Sequence, residues 1–323
     1  MIPLLRQAAS VYWLLLKTMV PVLVAMRIAQ QLGVVDDLAG VLSPLMGLVG
    51  LPGETGIVWM TTLLISLYPG AAVFVALLPD LALTQAQVSV LCGMMLIAHA
   101  LPLEQAIARC AGPSFWFTAL LRFAGALAFG ALLNLVFTLT GWLGAPASAP
   151  LWSAAPAEAG WLDWAVSTTI ELVVLFFILL SLLALMAGAR RIGLVDALGR
   201  LLKPMLRVLG LAPEAASITL VGLLLGLTYG GSLIIQEART GRLSRRDVMI
   251  SICFLCLAHS LIEDTLLMMA LGADAIVMVL GRLVFALAAV ALLARLLDRV
   301  PERVFRRLLF AGGDPVPGPA PSR

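Results

Sequence analysis

The sequence predicts an all-α polytopic membrane protein of two inverted-topology repeats. Each repeat has three transmembrane helices, one re-entrant helical hairpin and an interfacial helix. Three observations carry this expectation: the chain is too apolar to be soluble, its halves align without a gap, and equivalent loops carry opposite charge bias.

Of 323 residues, 62% are hydrophobic and 12% charged, with a mean hydropathy of +1.06. Soluble domains carry about twice that charged fraction. The surplus apolar surface has to face lipid. The net charge of +3 is spread over loops and offers no basic patch for nucleic acid. Cys92, Cys110, Cys253 and Cys256 all fall in or beside apolar runs. Cys253 and Cys256 form a C-x-x-C that could serve redox or metal chemistry. The first half has no matching pair, so small apolar helix residues are the better account. The run at 11–32 is too long for a signal peptide's apolar core, and no small-residue cleavage site follows it, so it is expected to stay.

Long apolar runs recur at 11–32, 55–78, 88–108, 115–142, 165–187, 218–235, 248–271 and 275–297. Most reach the roughly 20 residues that a spanning helix needs. A shift of 160 positions superimposes the halves. It pairs Gly33-Val-Val-Asp36 with Gly193-Leu-Val-Asp196, Pro44 with Pro204, Gly50-Leu51 with Gly210-Leu211 and Glu54 with Glu214. The same register matches Gly70 with Gly230, Ala98-His99 with Ala258-His259, Glu104 with Asp264 and Arg122 with Arg282. About a quarter of the positions from Leu32 to Glu104 are identical, an ungapped register too long for chance.

Loop charge sets the relative orientation. The stretch 33–50 holds Asp36 and Asp37 and no Lys or Arg, whereas 189–209 holds Arg190, Arg191, Arg200, Lys203 and Arg207. The connection at Asp80 again lacks positive charge, and its counterpart has Arg239, Arg242, Arg245 and Arg246. Positive loops stay cytoplasmic, so equivalent loops are expected on opposite sides. Inversion requires an odd number of crossings per copy, yet each copy has four apolar runs. The second run is the natural re-entrant one, broken at Tyr68-Pro69-Gly70 and at Tyr229-Gly230-Gly231-Ser232, where Pro and Gly interrupt a helix. The expected total is six spanning helices and two hairpins. Amphipathic segments with a central Pro44 or Pro204 precede the hairpins and are expected along the interface.

The domain reading is a first repeat at 1–143, a periplasmic linker at 144–164, an inverted second repeat at 165–300 and a partly disordered cytoplasmic tail at 301–323. The expected location is a bacterial inner membrane, with several passes and both termini cytoplasmic.

Ionisable residues inside spanning segments are costly and are functional candidates by default. His99 and His259 are the only histidines, at equivalent positions expected near the middle of a spanning helix, with Glu104, Glu263 and Asp264 close by. On a continuous helix His259 and Glu263 share a face. Imidazole and carboxylate together bind a divalent metal, carry protons or hydrogen-bond a polar solute, and the pattern leaves these open. A metal would draw on His99, His259 and Glu263. Glu54 and Glu214 open the two hairpins, where capping the positive helix end competes with a site role. Hairpin tips hold substrate in inverted-repeat transporters, which adds Tyr68, Gly70, Tyr229, Gly230 and Ser232 as candidates. Arg122 and Arg282 sit inside their helix ends. Snorkelling accounts for them, and pairing with an acid is the sharper alternative.

There is no G-x-x-x-x-G-K-[ST], no G-x-S-x-G and no H-E-x-x-H, and no GTPase or ATPase region. No enzymatic activity and no cofactor are expected, and transport would run on a gradient or passively.

Gly50-Leu51-Pro52-Gly53-Glu54, the Tyr68-Pro69-Gly70 break and the run Ala258-His259-Ser260-Leu261-Ile262-Glu263-Asp264 resemble the nucleoside-recognition (Gate) domain membrane proteins. That family is related to the membrane cores of concentrative nucleoside transporters and ferrous iron transporters, and to the SpmA/SpmB spore-maturation proteins. The resemblance spans both repeats. It implies a nucleoside-like ligand.

The leading expectation is a secondary transporter of a small polar solute or ion, with a midplane site between inverted repeats. A divalent metal ion transporter, a non-transporting membrane scaffold subunit and, more remotely, an intramembrane enzyme are the alternatives. Expected partners are the lipid bilayer and the solute or ion; proton or sodium coupling and a homo-oligomer are left open.

Overall fold

The computed structural model describes residues 2–147, 152, 155, 158–239 and 241–310, with side chains at all of these except 2–5, 7, 228, 229 and 239. The described residues form helices and no strand. The first half runs α1 (Ile2–Gln31), α2 (Val34–Gly47), α3 (Glu54–Leu64), α4 (Leu67–Leu77), α5 (Gln85–Ile97), α6 (Leu101–Cys110) and α7 (Phe115–Thr140). The second half runs α8 (Trp161–Arg191), α9 (Leu194–Leu206), α10 (Pro213–Leu225), α11 (Leu227–Arg239), α12 (Arg245–Leu257), α13 (Glu263–Ala270) and α14 (Arg282–Leu297).

Among the described residues, five helices are long and apolar enough to cross a membrane: Ala8–Gln31, Gln85–Cys110, Phe115–Thr140, Trp161–Arg191 and Val277–Leu297. Six were expected from the sequence. The run at 248–271 fails the test because 258–262 leave the helix and Glu263 and Asp264 follow directly. Its counterpart also bends, at 98–100, but resumes within three residues.

The chain divides into two compact units. Unit 1 comprises Met1–Ala100, Ala126–Ile192 and Glu263–Met278; unit 2 comprises Leu101–Gly125, Gly193–Ile262 and Val279–Arg323. Unit 2 therefore takes one short segment, 101–125, from the first half, whereas unit 1 takes both α8 and 263–278 from the second.

In unit 1, α1 packs on α4 and α8, α2 lies against α3, and α3 and α4 form a hairpin. The hairpin's break differs from the sequence expectation. It falls at Ile65 and Ser66, where the backbone becomes fully extended, while Tyr68-Pro69-Gly70 occupy the first turn of α4. Pro is tolerated there because the first-turn N–H groups have no intrahelical acceptor. Gly70 lies so close to Thr62 on the opposite arm that a Cβ would overlap its side chain.

Unit 2 repeats these features. Its hairpin, α10 with α11, breaks at Gly226, whose φ of +101° is a conformation few side-chain-bearing residues adopt. Again the expected break, 229–232, lies just inside the second arm. Gly230 meets Gly222 backbone to backbone, at the positions equivalent to Gly70 and Thr62.

The helix after each hairpin is capped in a similar way. Thr84 and Gln87 form a reciprocal capping box on α5, and Gln87 Nε2 also donates to the Gly50 carbonyl at 3.1 Å. Ser244 caps α12 by accepting from the Asp247 N–H, and Asp247 Oδ1 accepts from the Ala212 N–H at 3.1 Å. Either way, the residue three past the cap ties the helix start to the loop that leads into the hairpin.

Candidate functional site

His99 and His259 do not lie inside continuous helices. Each follows the last turn of a helix, α5 or α12, in backbone that has left the helical range: Ala98 is at φ −129°, ψ 88° and Ala258 at φ −145°, ψ 88°. The next residues, Ala100 and Ser260, are at φ +45° and +48°. Non-glycine residues held at positive φ carry local strain of about 1–3 kcal/mol, so surrounding contacts must fix them. Those contacts are present. The Ala100 N–H donates to the Thr62 carbonyl at 2.9 Å in unit 1, and the Leu261 N–H donates to the Leu223 carbonyl at 2.8 Å in unit 2. The first arm of each hairpin ends with carbonyls that have no intrahelical donor. The broken helix supplies one, which fastens the histidine beside the hairpin tip.

Both rings are buried and held alike. His99 Nδ1 lies 3.0 Å from the Met95 carbonyl, and His259 Nδ1 lies 2.6 Å from the Leu255 carbonyl. A carbonyl only accepts, so Nδ1 carries a proton in both. A backbone carbonyl at Nδ1 is the contact that commonly orients a histidine for metal binding or proton transfer through Nε2.

In unit 2, His259 Nε2 faces Glu104 Oε1 at 3.4 Å. The other carboxylate oxygen, Oε2, is paired with Arg122. Arg122 is 0% exposed and Glu104 15%. The Arg282 guanidinium donates to the His259 carbonyl at 3.0 Å, which anchors the broken segment. A neutral imidazole nitrogen and an ionised carboxylate are both acceptors. Their approach is favourable only with a proton on Nε2 or a cation shared between them. Beside them the Cys256 thiol points to Gln105 Oε1 at 3.7 Å.

In unit 1 the partner acid is Asp264: a ring nitrogen of His99 and a carboxylate oxygen of Asp264 lie within 4.8 Å. Tyr68, at the start of α4, stands in the field of Glu263 and Asp264. Thus His99, Asp264, Glu263 and Tyr68 come together in one unit, and His259, Glu104 and Arg122 in the other.

Several sequence expectations change. His259 and Glu263 do not share a helical face, because the non-helical 258–262 separate them and Glu263 begins a new helix. Both acids that meet a histidine stand in the first turn of a half-helix, Glu104 in α6 and Asp264 in α13, where the positive end of the helix favours negative charge. Arg122 and Arg282 do not snorkel: both are fully buried, Arg122 against Glu104. Glu54 and Glu214 stand at the far ends of their arms. By helical rise they are about 12–14 Å from the carbonyls that receive Ala100 and Leu261, at helix starts that favour an acid. Gly70 and Gly230 act as close-packing points and Ser232 is exposed on α11. The Tyr229 side chain lies outside the described residues. Cys253 and Cys256 are buried free thiols.

Sequence reasoning passed over three buried polar groups. Arg27 on α1 donates to the Ala159 carbonyl and stands over the Trp161 ring at 5.9 Å. Gln105 is fully buried beside Cys256. Glu171, on α8, is 8% exposed, and its Oε1 has no hydrogen-bond partner among the described residues. A lone acid within an apolar run was itself the signal. It has no symmetric counterpart, since the equivalent position holds Val11.

No family model and no solved structure matches the chain. A protein of Bacillus subtilis (strain 168), named "Uncharacterized membrane protein YvoD", is 28% identical over 267 residues, which cover 80% of this chain and 83% of that protein. That relative's name agrees with the five apolar helices. The chain is a membrane protein. Its lipid-facing surface is supplied by residues such as Leu139, Leu162 and Val284, which are large, apolar and exposed.

Proposed function

We propose that this protein is a secondary transporter of a small polar solute or ion, built from two inverted Gate-like repeats, with the hairpins as gates. One observation carries the reading: each histidine meets the acid of the other sequence half. His259 pairs with Glu104 in unit 2, and His99 lies near Asp264 in unit 1. Glu104 and Asp264 are themselves equivalent under the shift of 160. Such a crossed arrangement sets each histidine at a helix break beside a hairpin tip, where transporters of this architecture expose half-helix ends to substrate. Tyr12 Oη donates to the carbonyl of Leu172, its own equivalent, at 2.6 Å. A residue touching its own counterpart is what an axis relating two copies would produce.

A divalent metal ion is the second reading, favoured by the carbonyl contact that orients each ring through Nδ1 and by the Asp264 carboxylate near His99. Uptake into proteoliposomes tests both. Radiolabelled uridine, adenosine, manganese(II) and iron(II) are presented separately, under proton, sodium and zero gradients. One class of probe is expected to accumulate, and His99→Ala and His259→Ala are each expected to abolish its uptake with folded protein retained. Full uptake by both variants would remove the histidines from the mechanism. No accumulation of any probe would favour a non-transporting scaffold.

A further inference from the structure

Glu171 belongs to neither histidine cluster. It sits within α8, the span Trp161–Arg191, and faces two small adjoining recesses in unit 1. The larger is apolar, walled by Met19, Leu23, Ala71, Val75 and Leu175. The smaller brings Gln30, Ser167 and Thr168 to the same carboxyl. Ser167, one helical turn back, hydrogen-bonds to the carboxyl, and Oε1 is left with no partner among the described residues.

We propose that Glu171 is a proton-binding site: its carboxyl takes up a proton on Oε1 from water and returns it, without any metal ion.

The argument is one of compensation. A buried carboxylate without a cation or a full set of donors is among the most costly groups in an apolar interior. The charged groups on the packed elements are engaged elsewhere. On α1, Arg27 is committed to the Ala159 carbonyl and the Trp161 ring, and Lys17 lies over Trp13. On α13, Glu263 and Asp264 face each other, with Arg190 of α8 as their neighbouring cation. On α4, Tyr68 faces those same acids. At the ends of α8, Asp163 and Arg191 are exposed. Among the described residues nothing ionised turns to Glu171. Hard cations such as magnesium or calcium take about six oxygens, and the described side chains lining the recesses add those of Gln30, Ser167 and Thr168 to the carboxyl. A proton needs one. Val11 stands at the equivalent place in the first half, so the site is single.

The test needs no substrate. Wild-type protein in liposomes is treated with dicyclohexylcarbodiimide, an apolar reagent that adds only to protonated carboxyl groups, and the adducts are mapped by mass spectrometry. An N-acylurea is expected on Glu171, with a yield that falls at least about tenfold between about pH 5 and about pH 9 as the acid ionises. Exchanging sodium for choline is expected to leave the yield unchanged. The Glu171→Gln variant should lose the adduct and the protonated-carboxyl infrared band; the pH and sodium comparisons stand on the wild type alone. An unlabelled Glu171 at every pH, a yield flat with pH, or protection by sodium would each overturn the proposal. The labelling reads proton occupancy without uptake, so its failure is distinguishable from failure of the transport reading.

Discussion

Arg122 and Glu104 offer the sharpest energetic test, because a buried ion pair behaves differently when one partner is removed than when both are. Arg122→Met takes the counter-charge from Glu104, although its 15% exposure lets some water help and His259 stays at 3.4 Å. Glu104→Gln leaves the Arg122 guanidinium, 0% exposed, without its counter-charge. Breaking a buried pair costs about 3–5 kcal/mol; the partial exposure of Glu104 puts Arg122→Met near the lower figure and Glu104→Gln near the upper. The double variant, Arg122→Met with Glu104→Gln, strands no charge and should recover most of that loss. At about 2 °C per kcal/mol for a chain of this size, the single variants should melt roughly 6–10 °C lower in detergent. The double variant should melt within a few degrees of wild type. Tryptophan fluorescence during heating, with size-exclusion retention as a check on folding, provides the double-mutant cycle. Additive losses, or single losses below about 1 kcal/mol, would show that the pair is not energetically coupled and refute the reasoning.

Three other outcomes follow from the geometry. Gly230→Ala should destabilise by about 1–3 kcal/mol, because its Cβ would sit 2.7 Å from the Gly222 backbone N and closer still to its Cα. Gly231→Ala, next in sequence, meets side chains alone, Ile107 Cγ2 at 3.3 Å and Leu227 at 3.8 Å, and should be close to neutral, as the helix gains an alanine; equal melting of the two variants would contradict this. Asp298 accepts from Arg246 Nε at 2.8 Å, and that hydrogen bond holds its carboxyl below the usual range. The folded acid is the stronger one, so the contribution is present above the ordinary aspartate value of about 3.9 and fades as pH falls through the lower folded value. Melting curves of Arg246→Gln should therefore lose part of the acid-side decline, and an unchanged acid limb would count against it. Finally, Asp36→Cys and Lys203→Cys, both at exposed sites, should react with an impermeant maleimide from opposite sides of the membrane once Cys110 is replaced. Labelling from one side would sink the inverted orientation.

Much of the element layout was legible because it follows from composition and punctuation. Gly33 and Gly193 mark the starts of α2 and α9 with φ of 71° and 72°, and the 160-residue register carries over to the helix ends at Ala98 and Ala258. The hairpin breaks were misplaced by about three residues, because Pro69 and Gly230 look like interruptions yet are tolerated in a first helical turn. His99 and His259 were singled out by symmetry, whereas their acids were assigned by spacing along an assumed helix. Spacing fails where the backbone leaves the helix at 98–100 and 258–262. Which acid then meets which histidine depends on contacts between distant segments, and local sequence has no access to those. Glu171 was missed for the opposite reason: symmetry was the filter, and it has no counterpart.

The exchange of segments between the two units bears on how the protein is made. Translation delivers 101–125 well before 193–262, the stretch that unit 2 needs to surround them. Unit 1 likewise has to wait for 263–278. Neither unit can close until nearly nine-tenths of the chain has been synthesised, which favours late, cooperative assembly over stepwise folding. In that interval Glu104 and Arg122 are already on the same early segment, 18 positions apart, and can neutralise one another. The ion pair then serves as an escort: two costly charges enter the bilayer as one neutral unit, long before His259 exists to receive them.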